Sequence, residues 1–162
     1  MLDIITIGNE ILTEKAALIA DINDDIKSLV DEMIETLEKN SGIGLAAPQV
    51  AVKKRLFITK APGENVRVFI NPDIIQTSQE MELYEEGCLS IPGVWANVSR
   101  PSAVTIQAWG LDGKVFRLEA DDILARVVQH ELDHLNGILF PERLNEKQRE
   151  RLLTLYEKKT RK

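Results

Sequence analysis

The chain is short of the residues that most often build metal and redox sites: among 162 residues are one cysteine, Cys88, and two histidines, His130 and His134. A lone cysteine excludes an internal disulfide, in keeping with a reducing compartment, and leaves Cys88 to be inert, reactive or a ligand. Long apolar runs are missing too. Nowhere do about 18 apolar residues follow one another, so no membrane-spanning helix is expected, and residues 1–9 have neither the basic start nor the apolar stretch of a secretory leader. The expected location is cytoplasmic, with no membrane partner. Positive charge is scarce: 20 Lys and Arg face 26 Asp and Glu, a net charge of −6, which argues against a general nucleic-acid binder and against DNA as a partner. The apolar and charged fractions, 44% and 28%, are those of an ordinary globular protein. A chain this long buries a core without crosslinks, so residues 1–162 are read as a single domain in which any metal is functional rather than structural.

What is present is concentrated. Both histidines fall in Gln129-His130-Glu131-Leu132-Asp133-His134, four residues apart with a glutamate beside the first. On a helix, positions four apart share one face, so both imidazoles reach one ion while Glu131, about 100° around, stays free for acid–base work. The same spacing also occurs on capped surface helices that bind nothing.

Apolar residues at helical spacing over 22–37, after the cap candidates Asp21 and Asn23, predict an amphipathic helix that stops at Asn40-Ser41-Gly42. The small, apolar stretch Ile43-Gly44-Leu45-Ala46-Ala47-Pro48-Gln49-Val50 reads as an unusual loop. Strand-type runs follow at 55–59, 66–70, 104–106 and 115–118, the last beside an Asp112-Gly113 turn. The histidine helix should begin near Asp121 or Asp122 and end before Gly137, with apolar demand on two sides. A third helix, over 145–160, should pack Leu152, Leu155 and Tyr156 on one side. The pattern predicts an α+β fold in which antiparallel β-sheets pack around a central HExxH helix, flanked by an N-terminal and a C-terminal helix. Residues 141–162 carry eight basic against four acidic side chains, a charge of +4 that leaves −10 for residues 1–140. That tail is either plainly solvated or suited to a polyanion such as ribosomal RNA.

Two histidines leave a tetrahedral ion one protein ligand short. A metzincin-type peptidase needs a further downstream histidine, and the chain has none. Other HExxH metallopeptidases take a glutamate from a later helix, but Glu146 lies twelve residues past His134 with Gly137 and Pro141 between, little chain in which to turn. Cys88, in Glu85-Glu86-Gly87-Cys88-Leu89-Ser90, remains as a thiolate ligand; read alone, a lone cysteine is more often a small buried hydrophobe. The backbone amides of Leu89 and Ser90 are candidate donors to a polarised oxygen. An HExxH metallopeptidase and a metal-free scaffold both stay open on these grounds.

Three segments in order, Gly42-Ile43-Gly44-Leu45-Ala46-Ala47-Pro48-Gln49, Glu86-Gly87-Cys88-Leu89-Ser90 and Gln129 to His134, resemble the motifs of the bacterial and organellar peptide deformylases. The resemblance spans nearly the whole chain. It implies a single catalytic domain that hydrolyses the formyl group from N-formylmethionyl nascent chains and releases formate. It also implies one divalent ion held by Cys88, His130 and His134, natively Fe(2+) and replaceable by Zn(2+), Ni(2+) or Co(2+). Glu131 then serves as acid and base, while the Gln49 side chain and the Leu89 amide hold the developing oxyanion. Matching positions give Ile43, Gly44, Tyr84, Ile123 and Val127 as substrate-binding residues and Glu86 with Arg100 as an ion pair bracing the cysteine loop; read alone, these are core residues and a surface pair. Trp95 is a candidate rim residue, Asp133 either steers a histidine or faces solvent, and the C-terminal helix is similar to one that docks on the ribosome in part of the family. Departures occur at Ala51, where glycine is common, and in Gly8-Asn9-Glu10-Ile11-Leu12-Thr13, which lacks the usual proline and arginine.

Overall fold

The computed structural model describes residues 1–161; Lys162, the end of the basic tail, lies outside the described residues. Helix α1 (Asp24–Lys39) starts where the Asn23 side chain accepts a hydrogen bond from the Ile26 N–H at 3.1 Å, with Asp24 and Asp25 in its first turn and Lys39 in its last. That arrangement satisfies an orphan donor and complements the helix dipole. Its buried stripe of Ile26, Val30, Met33 and Leu37 packs on Leu45, Leu56, Ile58 and Ile70, apolar spacing of the kind the sequence shows. Ile22 precedes the cap instead of opening the helix.

Strands β1 (Gly44–Ala46), β2 (Leu56–Thr59), β3 (Arg67–Thr77), β6 (Ala103–Trp109) and β7 (Val115–Asp121) form one antiparallel sheet in the order β1-β2-β3-β6-β7. Strands β4 (Met81–Cys88) and β5 (Ile91–Pro101) form a separate two-stranded ribbon. In β6 the inward residues Val104, Ile106 and Ala108 alternate with less buried ones, as a sheet with one covered face requires. Strand β3 runs well past residue 70, through register shifts around Asn71 and Pro72. Proline cannot donate to a ladder, and Asn71 turns there at φ 50° while its side chain bonds both the N–H and the C=O of Ile19.

Helix α2 (Asp122–Leu135) carries the two histidines and is buried on two sides, as its double stripe predicts. Ala125, Val128 and Leu135 meet Phe57, Phe69, Val104, Ile106 and Ala120 of the larger sheet, and the histidine side turns toward the ribbon and β1. After Asn136, Gly137 takes φ 74°, and a Cβ there would stand 2.6 Å from the Thr13 carbonyl oxygen. Helix α3 (Glu146–Thr160), capped by Asn145, lies against β5 through Leu152 and Tyr156. Leu155 is 45% exposed and does not share that face.

The structure corrects two expectations. The stretch read as a loop is strand β1 followed by a 3-10 turn, Ala47–Val50, ending at Ala51 in the left-handed region with φ 66°. The ribbon strands β4 and β5 were not anticipated, because exposed Glu82, Glu85, Pro92 and Asn97 interrupt any apolar alternation.

Left-handed backbone costs an L-residue about 1–2 kcal/mol, against about 0.5–1 kcal/mol of extra unfolded-state entropy for glycine. Ala51→Gly should therefore stabilise the fold by up to about 1 kcal/mol, whereas Gly137→Ala, which adds backbone overlap, should cost about 2 kcal/mol or more. Urea midpoints of the two variants check the pair; a destabilised Ala51→Gly would refute the strain argument.

Candidate metal centre and substrate cleft

Strand β4 ends at Cys88, and α2 holds His130 and His134 one turn apart with ring centroids 5.1 Å from each other. Cys88 Sγ lies 3.3 Å from His134 Nε2, and one ligand atom from each of the three residues falls within 4.8 Å of the others. Metal–sulfur and metal–nitrogen bonds of about 2.3 and 2.0 Å place tetrahedral ligands about 3.5 Å apart, a spacing the Cys88–His134 pair matches, so the three residues are a candidate ligand set. His130 Nδ1 is engaged with Glu86 Oε1 at 2.9 Å, which leaves its Nε2 for the centre. This is the carboxylate–imidazole arrangement that orients a ligating histidine.

The electrostatics favour a cation at that point. Burial works against charge on His130, but its contacts with Cys88 and Glu86 and the charge of Glu131 outweigh it, and its pKa lies well above the ordinary range. The anions that favour a proton on this ring favour an ion beside it equally. His134 is depressed well below the ordinary value, by burial and then by the charges of His130 and Arg100, so it is a neutral donor. Glu131 is pushed up to about 7, chiefly by burial and further by the charges of Glu86 and Asp133, with His130 and Arg100 opposing. Its Oε1 is buried without a hydrogen-bond partner among the described residues. A carboxylate held at that value takes up and releases a proton near neutrality.

Behind these three candidate ligands lies a buried charge network. Arg100 grips Glu86 through Nε at 2.6 Å and a terminal nitrogen at 3.0 Å, and reaches Asp133 at 2.9 Å. Burial raises the pKa of Glu86, yet the hydrogen bonds and charges of His130 and Arg100 bring it down to about 2. Both side chains are 4% exposed, so the pair is no surface bridge. Asp133 bonds no histidine and does not face solvent; it ties Arg100 to Arg143, whose guanidinium reaches it at 2.6 and 3.0 Å. Sequence reasoning missed Arg126, which reaches Glu86 Oε2 at 2.6 Å. Its signal was a cation inside a helix with apolar demand on both sides.

The cleft in front of the centre has a volume of about 440 Å³, and Ile43, Gly44, Tyr84, Ile123 and Val127 all line it, as do Gln49 and Leu89. A Cβ on Gly44 would stand 2.6 Å from Glu131 Oε2 and 2.8 Å from Val127 Cγ1, so only glycine lets the strand pass this close. Trp95 stands at the rim, 59% exposed, crossing Gly87. Gln49 Oε1 accepts from the Ala46 N–H at 2.9 Å, and Nε2 donates to Ser90 Oγ at 3.1 Å with Cys88 Sγ 3.6 Å away. The Leu89 N–H has no partner in the turn and loop hydrogen bonds among the described residues. The N-terminal segment straps the two motifs together: the Ile5 N–H donates to the Gln49 carbonyl at 2.8 Å, and the Ile7 N–H to the Ser90 carbonyl at 2.9 Å.

Replacing Arg100 by leucine leaves the Glu86 and Asp133 carboxylates buried with fewer partners. Breaking such a network typically costs about 3–5 kcal/mol. Denaturant unfolding of Arg100→Leu should show a loss of that order, and a loss below about 1 kcal/mol would mean the network is not structural.

Known proteins resemble the chain in both sequence and fold. The family model described as polypeptide deformylase matches residues 1–150. Peptide deformylase 1 of Clostridium perfringens is 50% identical over 133 residues, covering 82% of this chain and 90% of that protein. The peptide deformylase of Borreliella burgdorferi is 46% identical over 152 residues, 91% and 90% of the respective chains. In structure the chain is similar to the peptide deformylase of Ehrlichia chaffeensis in complex with actinonin, at TM-score 0.95 and 35% identity over 100% of this chain and 99% of that one. Sequence match and backbone likeness both run through all three motif segments, and the chain belongs to the polypeptide deformylase family, the enzymes that remove the formyl group from polypeptide N termini.

Proposed function

We propose that residues 1–162 act as one catalytic domain on N-formylmethionyl nascent chains, with Cys88, His130 and His134 holding one divalent ion, natively Fe(2+). The observation that carries this reading is the meeting of the three ligand atoms within 4.8 Å beside a buried Glu131 at the floor of an apolar cleft. Mixed thiolate and imidazole donors suit Fe(2+) and Zn(2+) alike, with Ni(2+) and Co(2+) as substitutes. When bound, such an ion supplies Lewis acidity, bringing the pKa of water from about 16 to about 7.

The chain's own groups do the rest. Glu131 accepts a proton from the attacking water as its oxygen adds to the formyl carbon, and returns it to the amine nitrogen as the C–N bond breaks; formate and a free N terminus leave. Oxyanion charge is met by the Leu89 N–H and by the Gln49 amide, which the Ala46 N–H and Ser90 Oγ orient. Ile43, Tyr84, Ile123 and Val127 receive the first side chain, with Gly44 on the substrate backbone, and Glu86 with Arg100 sets the His130 ring. The HExxH metallopeptidase alternative has no support, since among the described residues the group around the two histidines is completed by Cys88 and not by Glu146. No helix among the described residues is long and apolar enough to cross a membrane. The cytoplasm is the site of action in this reading, and α3, with Lys147, Arg149, Arg151, Lys158 and Lys159 and with Arg161 at its C-cap, offers a basic surface to ribosomal RNA.

Formate release from a formyl-methionyl peptide by anaerobically purified protein tests this directly: it should be fast, and a chelator should abolish it and lower the melting temperature, because the ion binds only the folded chain. Glu131→Ala should retain one metal per chain and lose activity by a factor of about 10²–10⁴, whereas Cys88→Ser should lose the metal itself. Equal metal content in wild type and Cys88→Ser would remove Cys88 from the ligand set.

A further inference from the structure

Arg126, the one arginine of α2, has no part in the chemistry described above, yet its guanidinium bonds three acceptors. One terminal nitrogen donates to Glu86 Oε2 at 2.6 Å and to the Val98 carbonyl at 2.8 Å, and the other donates to the Glu82 carbonyl at 2.7 Å. Its Cζ lies 5.6 Å from the centroid of the Tyr84 ring. The residue is 9% exposed and lines the cleft. One end of this group therefore touches the carboxylate that sets His130, and its face touches the aromatic wall of the cleft.

Plain packing does not require arginine at this position. Glu86 already has Arg100 and His130 as partners, and a buried second cation carries a desolvation cost that an apolar side chain of similar volume avoids. Arginine offers planar geometry, with several fixed donors and a face that stacks on an aromatic ring. Lysine has no equivalent. Tyr84 is about half exposed on β4, opposite Val98 in the ribbon register, and the Arg126 guanidinium lies over its ring.

We propose that Arg126 is a positioning and specificity residue of the deformylation site, coupling the Tyr84 wall that receives the substrate's first side chain to the Glu86 carboxylate that orients His130. The coupling rests on the ligand and pocket roles proposed above. A side chain that seats against Tyr84 presses its ring onto the guanidinium, which holds Glu86 and through it the His130 ring in working orientation. A poorly seated side chain leaves the linkage slack. Preference for the first residue is then expressed in turnover as well as in binding.

The test compares wild type, Arg126→Met, Arg126→Lys, Tyr84→Leu and the Arg126→Met/Tyr84→Leu double variant, each loaded with Co(2+). Outer partners of a ligating histidine are typically worth a factor of about 10–100 in metal affinity. Arg126→Met is expected to lose Co(2+) to a competing chelator about tenfold more readily, to shift the visible absorption of the bound cobalt, and to narrow the preference for formyl-methionyl over formyl-alanyl peptides about tenfold, with kcat and KM both moving. Arg126→Lys, whose ammonium reaches only part of the acceptor set, should fall between, and carries the test if the methionine variant does not fold. In the cycle, the double variant should lose little more selectivity than either single variant. An unchanged cobalt spectrum and affinity in Arg126→Met or Arg126→Lys, or fully additive selectivity losses, would overturn the proposal and leave Arg126 a structural brace. Should the wild type release no formate, the spectrum and the chelator competition still decide the link to His130, separately from the proposed activity.

Discussion

The Glu86 carboxylate is the point on which the site depends. It accepts from Arg100 twice, from Arg126 and from His130, so β4, β5 and α2 all meet at two oxygen atoms. Buried charges are expensive, and a network of this kind contributes less to net stability than its hydrogen bonds suggest, because desolvation consumes most of the Coulombic gain. What it supplies is geometry. Strand β5 docks through buried Ile91, Val94 and Val98 on the side of α3, whereas β4 leaves Met81 and Leu83 exposed, and the guanidiniums of Arg100 and Arg126 tie the ribbon to the histidine helix.

Helix α2 consequently lives in two environments. Its Ala125, Val128 and Leu135 face is ordinary close-packed core against the larger sheet, and that face holds the helix in place. The opposite face buries His130, Glu131, Asp133 and His134 with their polar atoms directed at a few defined partners. Burying Glu131 costs free energy that the apolar face must offset, and that burial lifts the carboxyl to about 7. Gly44 completes the device: without a side chain there, β1 closes over the carboxyl and keeps it dry while leaving its oxygens reachable from the cleft.

How much of this was legible in the sequence follows from where each element gets its stability. Helix α1 buries one regular stripe and α2 two, and β2, β3, β6 and β7 carry short apolar runs, so the spacing exposed them but not β1, and Asn23 and Gly137 marked the ends of the helices. The pairing of His130 with His134 was legible because helical geometry alone brings positions four apart together. Cys88 could be offered as their partner only by elimination and then through the resemblance, since it comes from a ribbon whose strands carry no readable alternation. That ribbon is held by contacts distant in sequence, and no local pattern encodes an arginine on α2 that bonds two carbonyls of β4 and β5. Arg126 therefore escaped the sequence reading, and Asp133, which braces Arg100 instead of a histidine, stayed undecided.

The first eight residues show the same logic at the level of assembly. They contribute no regular element, yet the N–H groups of Ile5 and Ile7 bond the carbonyls of Gln49 and Ser90, two positions 41 residues apart whose side chains also meet at 3.1 Å. Gln49 follows strand β1 and Ser90 follows the cysteine, so this strap joins the proposed oxyanion amide to the proposed metal ligand through backbone groups that no substitution in the strap itself removes, proline excepted. The family departures in residues 8–13 lie outside those contacts: Leu12 packs in one cluster with Val98 and Leu152, while the strap's hydrogen bonds fall just upstream. Positional accuracy in the cleft thus depends on main-chain geometry at its edges and on side-chain charge at its centre, and the two tolerate different kinds of sequence change.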